Sequence, residues 1–152
     1  MDPVDWHGPK VFGGEGMKER TLAIVKPDGV QQGLVGVVLK RLEEAGFKLM
    51  GIKMLRMSKD QAKAFYGVHE GKPFFEGLTD FMSSGPSVAV VLEGDNVIAE
   101  YRQMMGATDP SRAKAGTIRQ AFATDGRKNV VHGSDSAESA HHLMIERAAR
   151  WL

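Results

Sequence analysis

The chain is 152 residues long, enough for one domain and too short for two ordinary ones. It contains no cysteine, which excludes disulfides, thiolate catalysis and Cys-based zinc or iron–sulfur sites, and suits a reducing, cytoplasmic compartment. Lys+Arg 20 against Asp+Glu 19 leave a net charge of +1, so neither nucleic acid nor a membrane surface is an expected partner, and no run reaches the roughly 18–20 apolar residues that span a bilayer.

Residues 1–16 hold two prolines and four glycines with no helical or strand period, and read as a flexible extension to a domain over 17–152. Thr21–Val25 is a short β-branched and apolar strand, stopped by the turn chemistry of Lys26-Pro27-Asp28-Gly29. Leu34, Val35, Val38, Leu39, Leu42 and Ala45 recur at helical spacing, and Gly46 sits where a C-terminal glycine belongs. A strand is predicted from Phe47 to Met57. Ser58 then caps a helix from Lys59 to about Tyr66, and a second short helix covers Phe75–Met82. Ser87–Leu92 is an unbroken apolar strand, which Glu93-Gly94-Asp95 turns into a helix from about Asn96 to Met105. Residues 106–128 show no period and read as a long irregular segment, of the kind that is usually functional. Asn129–His132 is a last short strand. Asp135 with Glu138 opens a final helix in the manner of a capping box. This order fits an α/β (α+β) sandwich of ferredoxin-like type, with a four-stranded antiparallel sheet covered by helices.

Few residues can carry chemistry. Gly67–Lys72 resembles a phosphate-binding loop but is one residue short, with Pro73 where a Ser or Thr should hold magnesium. His141 and His142 point about 100° apart on a helix, a poor pair for one metal. His132 is different, because it ends a short apolar strand and precedes Gly-Ser-Asp-Ser at the mouth of a helix. A nucleophilic imidazole must be neutral near pH 7 and must face a place for a phosphate, and a helix N-terminus can offer one. Taken alone, a histidine beside a turn is more often structural.

Five blocks change that balance: KPDGVQQGLVG at 26–36, KPFFEGL at 72–78, SSGP at 83–86, MGATDPSRAKAGTIR at 105–119 and NVVHGSDSAESA at 129–140. In this order and spacing they resemble nucleoside diphosphate kinases, from Glu19 to Ala140, and NVVHGSDS is close to that family's active-site signature. The resemblance implies ping-pong transfer of the γ-phosphate of a nucleoside triphosphate, chiefly ATP, to a nucleoside diphosphate through a phosphohistidine at His132. It implies nucleotide binding by Lys26, Phe74, Arg102, Thr108, Arg119 and Asn129: Lys26 faces phosphate and sugar, and Arg102 and Arg119 grip phosphates with guanidinium forks. Thr108 contacts phosphate, Asn129 contacts sugar, and Phe74 is the ring on which the base stacks. Stacking tolerates every base because each has a π-face. Tyr66, an active-site tyrosine near the lysine, and Ser134, a hydroxyl close to the histidine, support the site.

The resemblance also implies Mg2+ as cofactor, arriving on the phosphates with Asp135 reaching it through water. A homo-oligomer, tetramer or hexamer, is the implied assembly. The family usually places a glutamate on the final helix against the histidine's other nitrogen; that position is Leu143 here, and Glu146, one turn further, is expected to substitute. Leu143 is also the one residue that favours the competing reading, a catalytically weakened relative kept as a regulatory protein.

Overall fold

The computed structural model describes residues 10–11 and 17–134, so the final helix predicted from the sequence, and with it Asp135, Leu143 and Glu146, lies outside the described residues. Its strands are β1 (Lys10–Val11), β2 (Met17–Val25), β3 (Lys48–Leu55), β4 (Ser87–Asp95) and β5 (Val131–Gly133). Its α-helices are α1 (Pro27–Gln31), α2 (Val35–Glu44), α3 (Lys59–Phe65), α4 (Phe75–Met82), α5 (Val97–Met105) and α6 (Ile118–Phe122).

The two most apolar runs become the centre of the sheet. β2 and β4 pair antiparallel from Lys18 opposite Asp95 to Val25 opposite Val88. Val88 through Leu92 are all buried; because neighbouring strand residues point to opposite faces, this strand is covered on both sides. β3 pairs antiparallel with the far edge of β4, with a register irregularity between Leu49 and Gly51. β5 joins the other edge of β2, pairing His132 with Ile24, and β1 pairs with Met17 and Lys18 further along that edge. The main sheet order is therefore β5-β2-β4-β3 with all neighbours antiparallel, the ferredoxin-like arrangement. Val38 and Leu42 of α2 and Val97 and Tyr101 of α5 fill the core, each at most 1% exposed. Side chains buried to this degree contribute roughly 1.5–3 kcal/mol each.

Several element boundaries differ from the sequence reading, each for a local reason. β4 continues through Glu93-Gly94-Asp95 because Glu93 sits opposite Arg20 and Lys48, and its carboxylate accepts from Arg20 Nε at 2.9 Å. Cross-strand pairing thus overrides turn propensity, and a single left-handed residue, Asn96 at φ 52°, makes the turn into α5. Lys26–Gly29 is not a simple turn either, since Pro27 occupies the first position of α1. The stretch 106–128 holds a 3-10 turn at Pro110–Arg112 and helix α6, whose start is capped by the Thr117 hydroxyl. Five residues are too few to show a period, so α6 leaves no mark in the pattern. The Ser58 cap is a full capping box with Gln61.

Candidate active site

The site is built where the end of β2 meets the start of β5. Lys26 leaves β2 and donates its backbone N–H to the carbonyl of Val130 at 2.8 Å. Two residues later, Asp28 Oδ2 accepts the N–H of Val130 at 3.0 Å. Val130 is thereby gripped at both of its peptide groups while it adopts φ 75°. A β-branched residue avoids the left-handed region, so this conformation stores strain that its neighbours must hold in place. Gly29 makes the approach possible: a Cβ there would lie 2.9 Å from Val25 Cγ1 and 3.1 Å from the Val130 carbonyl. The left-handed step separates Asn129, which turns to the lysine, from the strand bearing His132. It also explains why β5 starts at Val131 and not at Asn129.

The cations come from three elements. Lys26 Nζ donates to Asn129 Oδ1 at 2.8 Å and to the Arg127 carbonyl at 2.7 Å. Burial lowers the Lys26 ammonium to about 8, against the pull of Asp28, while Arg119 adds to the lowering. Asn129 in turn donates to the carbonyls of Thr108 at 3.2 Å and Gly126 at 3.0 Å, tying two loops to the lysine. Arg119 of α6 is 8% exposed and donates to the carbonyls of Gly106 at 3.0 Å and Val131 at 2.8 Å. Arg102, in the last turn of α5, is exposed and reaches the Gly133 carbonyl only at 3.5 Å, the limit of a hydrogen bond.

His132 sits among these groups. Its carbonyl accepts from Tyr101 Oη at 3.0 Å, which anchors the strand to α5. Its ring meets Phe65 and Tyr66 edge-on, at centroid distances of 5.6 and 5.7 Å. The residue is half-buried overall, yet Nε2 is enclosed and has no hydrogen-bond partner among the described residues. Burial, with Lys26 and then Arg119 and Arg102 nearby, lowers the imidazole to about 3. It is therefore neutral at physiological pH, as a nitrogen nucleophile must be.

Asp28 Oδ1, Tyr66 Oη, Arg119 Nε, His132 Nε2 and Ser134 Oγ are five of the seven buried polar side-chain atoms without a partner among the described residues. Orphans of this kind are uncommon, and their concentration here marks a place organised for something other than stability. Burial also raises the Tyr66 hydroxyl far above its ordinary value, so it stays protonated.

The structure brings Lys26, Asn129, Arg119, Arg102, Tyr66 and Ser134 together around the segment that carries His132. Tyr66 lies against the histidine ring, whereas the sequence reading put it near the lysine. Thr108 is exposed and enters this network through its carbonyl. Phe74 stands apart on the rim, 43% exposed, with the His69 ring edge-on at 5.2 Å and Lys72 Nζ 5.8 Å from its centroid. Sequence reasoning missed Asp28, Phe65 and Tyr101. Only Asp28 leaves a signal, as the acid inside the KPDG block, where turn chemistry alone already accounts for it. Burial also raises its carboxyl, against the Val130 N–H bond and Lys26.

Comparison with known proteins fits this geometry. Residues 19–145 match the nucleoside diphosphate kinase family profile. The chain is 57% identical over 122 residues to a nucleoside diphosphate kinase of Anaeromyxobacter, covering 80% of this chain and 83% of the relative. It is 60% identical over 118 residues to that of Salinibacter ruber, covering 78% and 83%. A halophilic nucleoside diphosphate kinase from Halobacterium salinarum, solved in complex with CDP, superposes with a TM-score of 0.81 at 46% identity, covering 85% of this chain and 86% of that one. The chain belongs to the nucleoside diphosphate kinase family, a family of phosphotransferases.

Proposed function

We propose that the chain moves the terminal phosphate of a nucleoside triphosphate to a nucleoside diphosphate through His132. The observation that carries this reading is a neutral imidazole whose Nε2 is buried, surrounded by Lys26, Arg119 and Arg102. With Nε2 enclosed, Nδ1 is the nitrogen left to react. Its lone pair forms the N–P bond as the bond between the γ-phosphorus and the β-bridging oxygen breaks. The diphosphate leaves with that electron pair, and Nε2 keeps its proton. A second diphosphate then attacks the phosphohistidine through its terminal oxygen and restores the free imidazole. Covalent catalysis of this kind lets one site serve both nucleotides in turn.

Charge spreads over the phosphoryl oxygens in the transition state, so fixed cations stabilise it most. Lys26 and Arg119 suit that task because both are buried and already positioned by carbonyl or amide oxygens. Arg102 and the Thr108 hydroxyl would close on the phosphates from the exposed side. Asn129 would face the sugar beside Lys26, and Phe74 would stack the base. Ser134 and Tyr66 would line the imidazole, and Glu146 is proposed as the group that holds Nε2–H.

Magnesium would arrive on the phosphates, supplying charge neutralisation, with Asp135 contacting it through water. The described residues contain no cluster of three His, Asp or Glu side chains to hold it alone, which fits a metal carried by substrate. Residues 1–16 are proposed to be an extension of the kinase domain, supported by a family match that begins at 19. A homo-oligomer, tetramer or hexamer, is supported by edge strand β3, which exposes Ile52 at 53% and Met54 at 58%. A cytoplasmic setting rests on the cysteine-free composition; among the described residues no helix is long and apolar enough to cross a membrane.

The test is to mix protein with γ-labelled ATP and magnesium, then add GDP. Acid-labile label on the wild type, absent from His132→Ala and passed to GDP, is the expected result. No label on a wild type that still binds nucleotide would overturn the reading.

A further inference from the structure

We infer that the Arg127 guanidinium is a specificity-determining group that favours guanine over adenine nucleotides at the rim of the Phe74 platform. This inference rests on the reading that Phe74 stacks the base.

Arg127 lies in a turn fixed at both of its peptide groups. Its N–H donates to Asp125 Oδ1 at 2.8 Å, and its carbonyl accepts from Lys26 Nζ at 2.7 Å. Its side chain crosses to α4 and lies on Gly77. A Cβ on that glycine would fall 2.6 Å from Nη2, 2.7 Å from Nη1 and 2.8 Å from Cζ. Three near-equal distances mean that the guanidinium lies face-on to the helix, in space only glycine leaves open. Phe74, Gly77 and Phe81 recur at the three- and four-residue spacing that puts residues on one helix face. Phe74 stands at the exposed end of this stripe, while Phe81, with Lys26 Nζ 5.6 Å from its ring, stands at the lysine end. The guanidinium therefore rests over α4 between Phe74 and the Phe81–Lys26 pair, where a nucleotide stacked on Phe74 with its phosphates at Lys26 would run.

Arg127 is exposed, and its guanidinium has no hydrogen bond or ion pair among the described residues, so its N–H edges, which lie in the plane laid over the helix, have no partner there. The other polar groups beside the ring are donors too. Lys72 Nζ lies 3.2 Å from His69 Nδ1, and since an ammonium only donates, the neutral His69 ring carries its proton on Nε2. The carboxylate next to Gly77, Glu76, is drawn to Lys59 and Lys63. A rim of donors selects a base edge of acceptors. Guanine offers O6 and N7 side by side, the pair a guanidinium fork reads best, whereas adenine offers N7 beside an amino donor.

The experiment measures kcat/KM for GTP and for ATP as donors to one acceptor, dTDP, in wild type, Arg127→Ala, Arg127→Lys, Gly77→Ala and Phe74→Ala. Wild type should prefer GTP roughly fivefold or more, the lower end for a bidentate arginine contact. Arg127→Ala should bring the ratio to within about twofold of unity, Arg127→Lys should not restore it, and Gly77→Ala should lower it by displacing the guanidinium while favouring the helix. A wild type without preference, a ratio unchanged in Arg127→Ala, or an equal loss for both donors would overturn the inference. If Phe74→Ala leaves KM for both donors unchanged, the stacking reading itself falls; if it raises both while Arg127→Ala leaves the ratio intact, only the arginine's role falls.

Discussion

The two ends of the proposed nucleotide site are built on opposite principles. At the phosphate end, Lys26, Asp28, Asn129 and Arg119 are all buried, and each is tied to backbone or side-chain partners before any substrate arrives. At the base end, Phe74 and Arg127 are exposed, and they sit on a helix and a turn that leave one side open. The first end resembles a preorganised electrostatic site, where donors already in place cost no reorganisation during reaction. The second offers area and a few donors, which suits a moiety that varies between substrates and takes no part in the chemistry. Damage at the fixed end should therefore appear in kcat, and damage at the open end in KM.

The largest expected effect is at the proposed nucleophile. His132→Asn should reduce kcat by at least about 10³-fold while the thermal unfolding midpoint stays near wild type, read by steady-state assay and by melting. Next comes the strained hinge that carries it. Asp28→Ala removes the acceptor for the Val130 N–H, and kcat should fall about 10- to 100-fold with little change in KM, since displacements near 1 Å at a reacting atom cost on that scale. Asp28→Asn, which keeps an acceptor, should recover much of the loss; a pure rise in KM in either variant would contradict the role given to Asp28. At the open end, Phe74→Ala should raise KM by about tenfold with kcat nearly unchanged, in line with roughly 1–3 kcal/mol per stacked base.

The pH profile sharpens the same contrast. Lys26 titrates at about 8 in the folded free enzyme, so kcat/KM should decline as pH rises through that value and the cation is lost. Stability should move the other way. The folded-state value lies below the ordinary lysine value of 10.5, so between about 8 and 10.5 the unfolded chain binds a proton that the folded chain does not, and this group's contribution to stability rises with pH. Activity falling while the melting temperature holds or rises would separate titration from unfolding. With His132 lowered to about 3, no acid limb from its titration should appear near pH 6.5. The smallest effect lies outside the proposed site: Ser58→Ala should cost about 1 kcal/mol of stability through the lost cap of α3, with kinetics unchanged.

Block resemblance named side chains at both ends, but what holds the fixed end in place was not legible in the sequence, for a physical reason. Strands and helices with strong periods, such as α2 and β4, announce themselves because burial repeats with the element's own geometry. Phe74 is readable as one of two adjacent aromatics, of which Phe75 is buried in the core and Phe74 is exposed on the rim. The fixed end depends on one-residue events that no period records. The left-handed turn at Val130, the carboxylate of Asp28 beneath it and the two carbonyls that seat Arg119 are all long-range pairings, with Asp28 and Val130 separated by 102 positions. Block resemblance supplied His132, Lys26 and Arg119, but not the reason those side chains stay where they are. Short α6 escaped for the same cause, since its place is set by Ile118 in the core and Thr117 at its cap.

The proposed chemistry depends on which ring nitrogen of His132 reacts. Phosphorus and nitrogen NMR of the protein phosphorylated by ATP, compared with phosphohistidine standards, distinguishes the two isomers directly. Enclosure of Nε2 predicts phosphate on Nδ1 alone; phosphate on Nε2, or on any residue other than His132, would contradict the account.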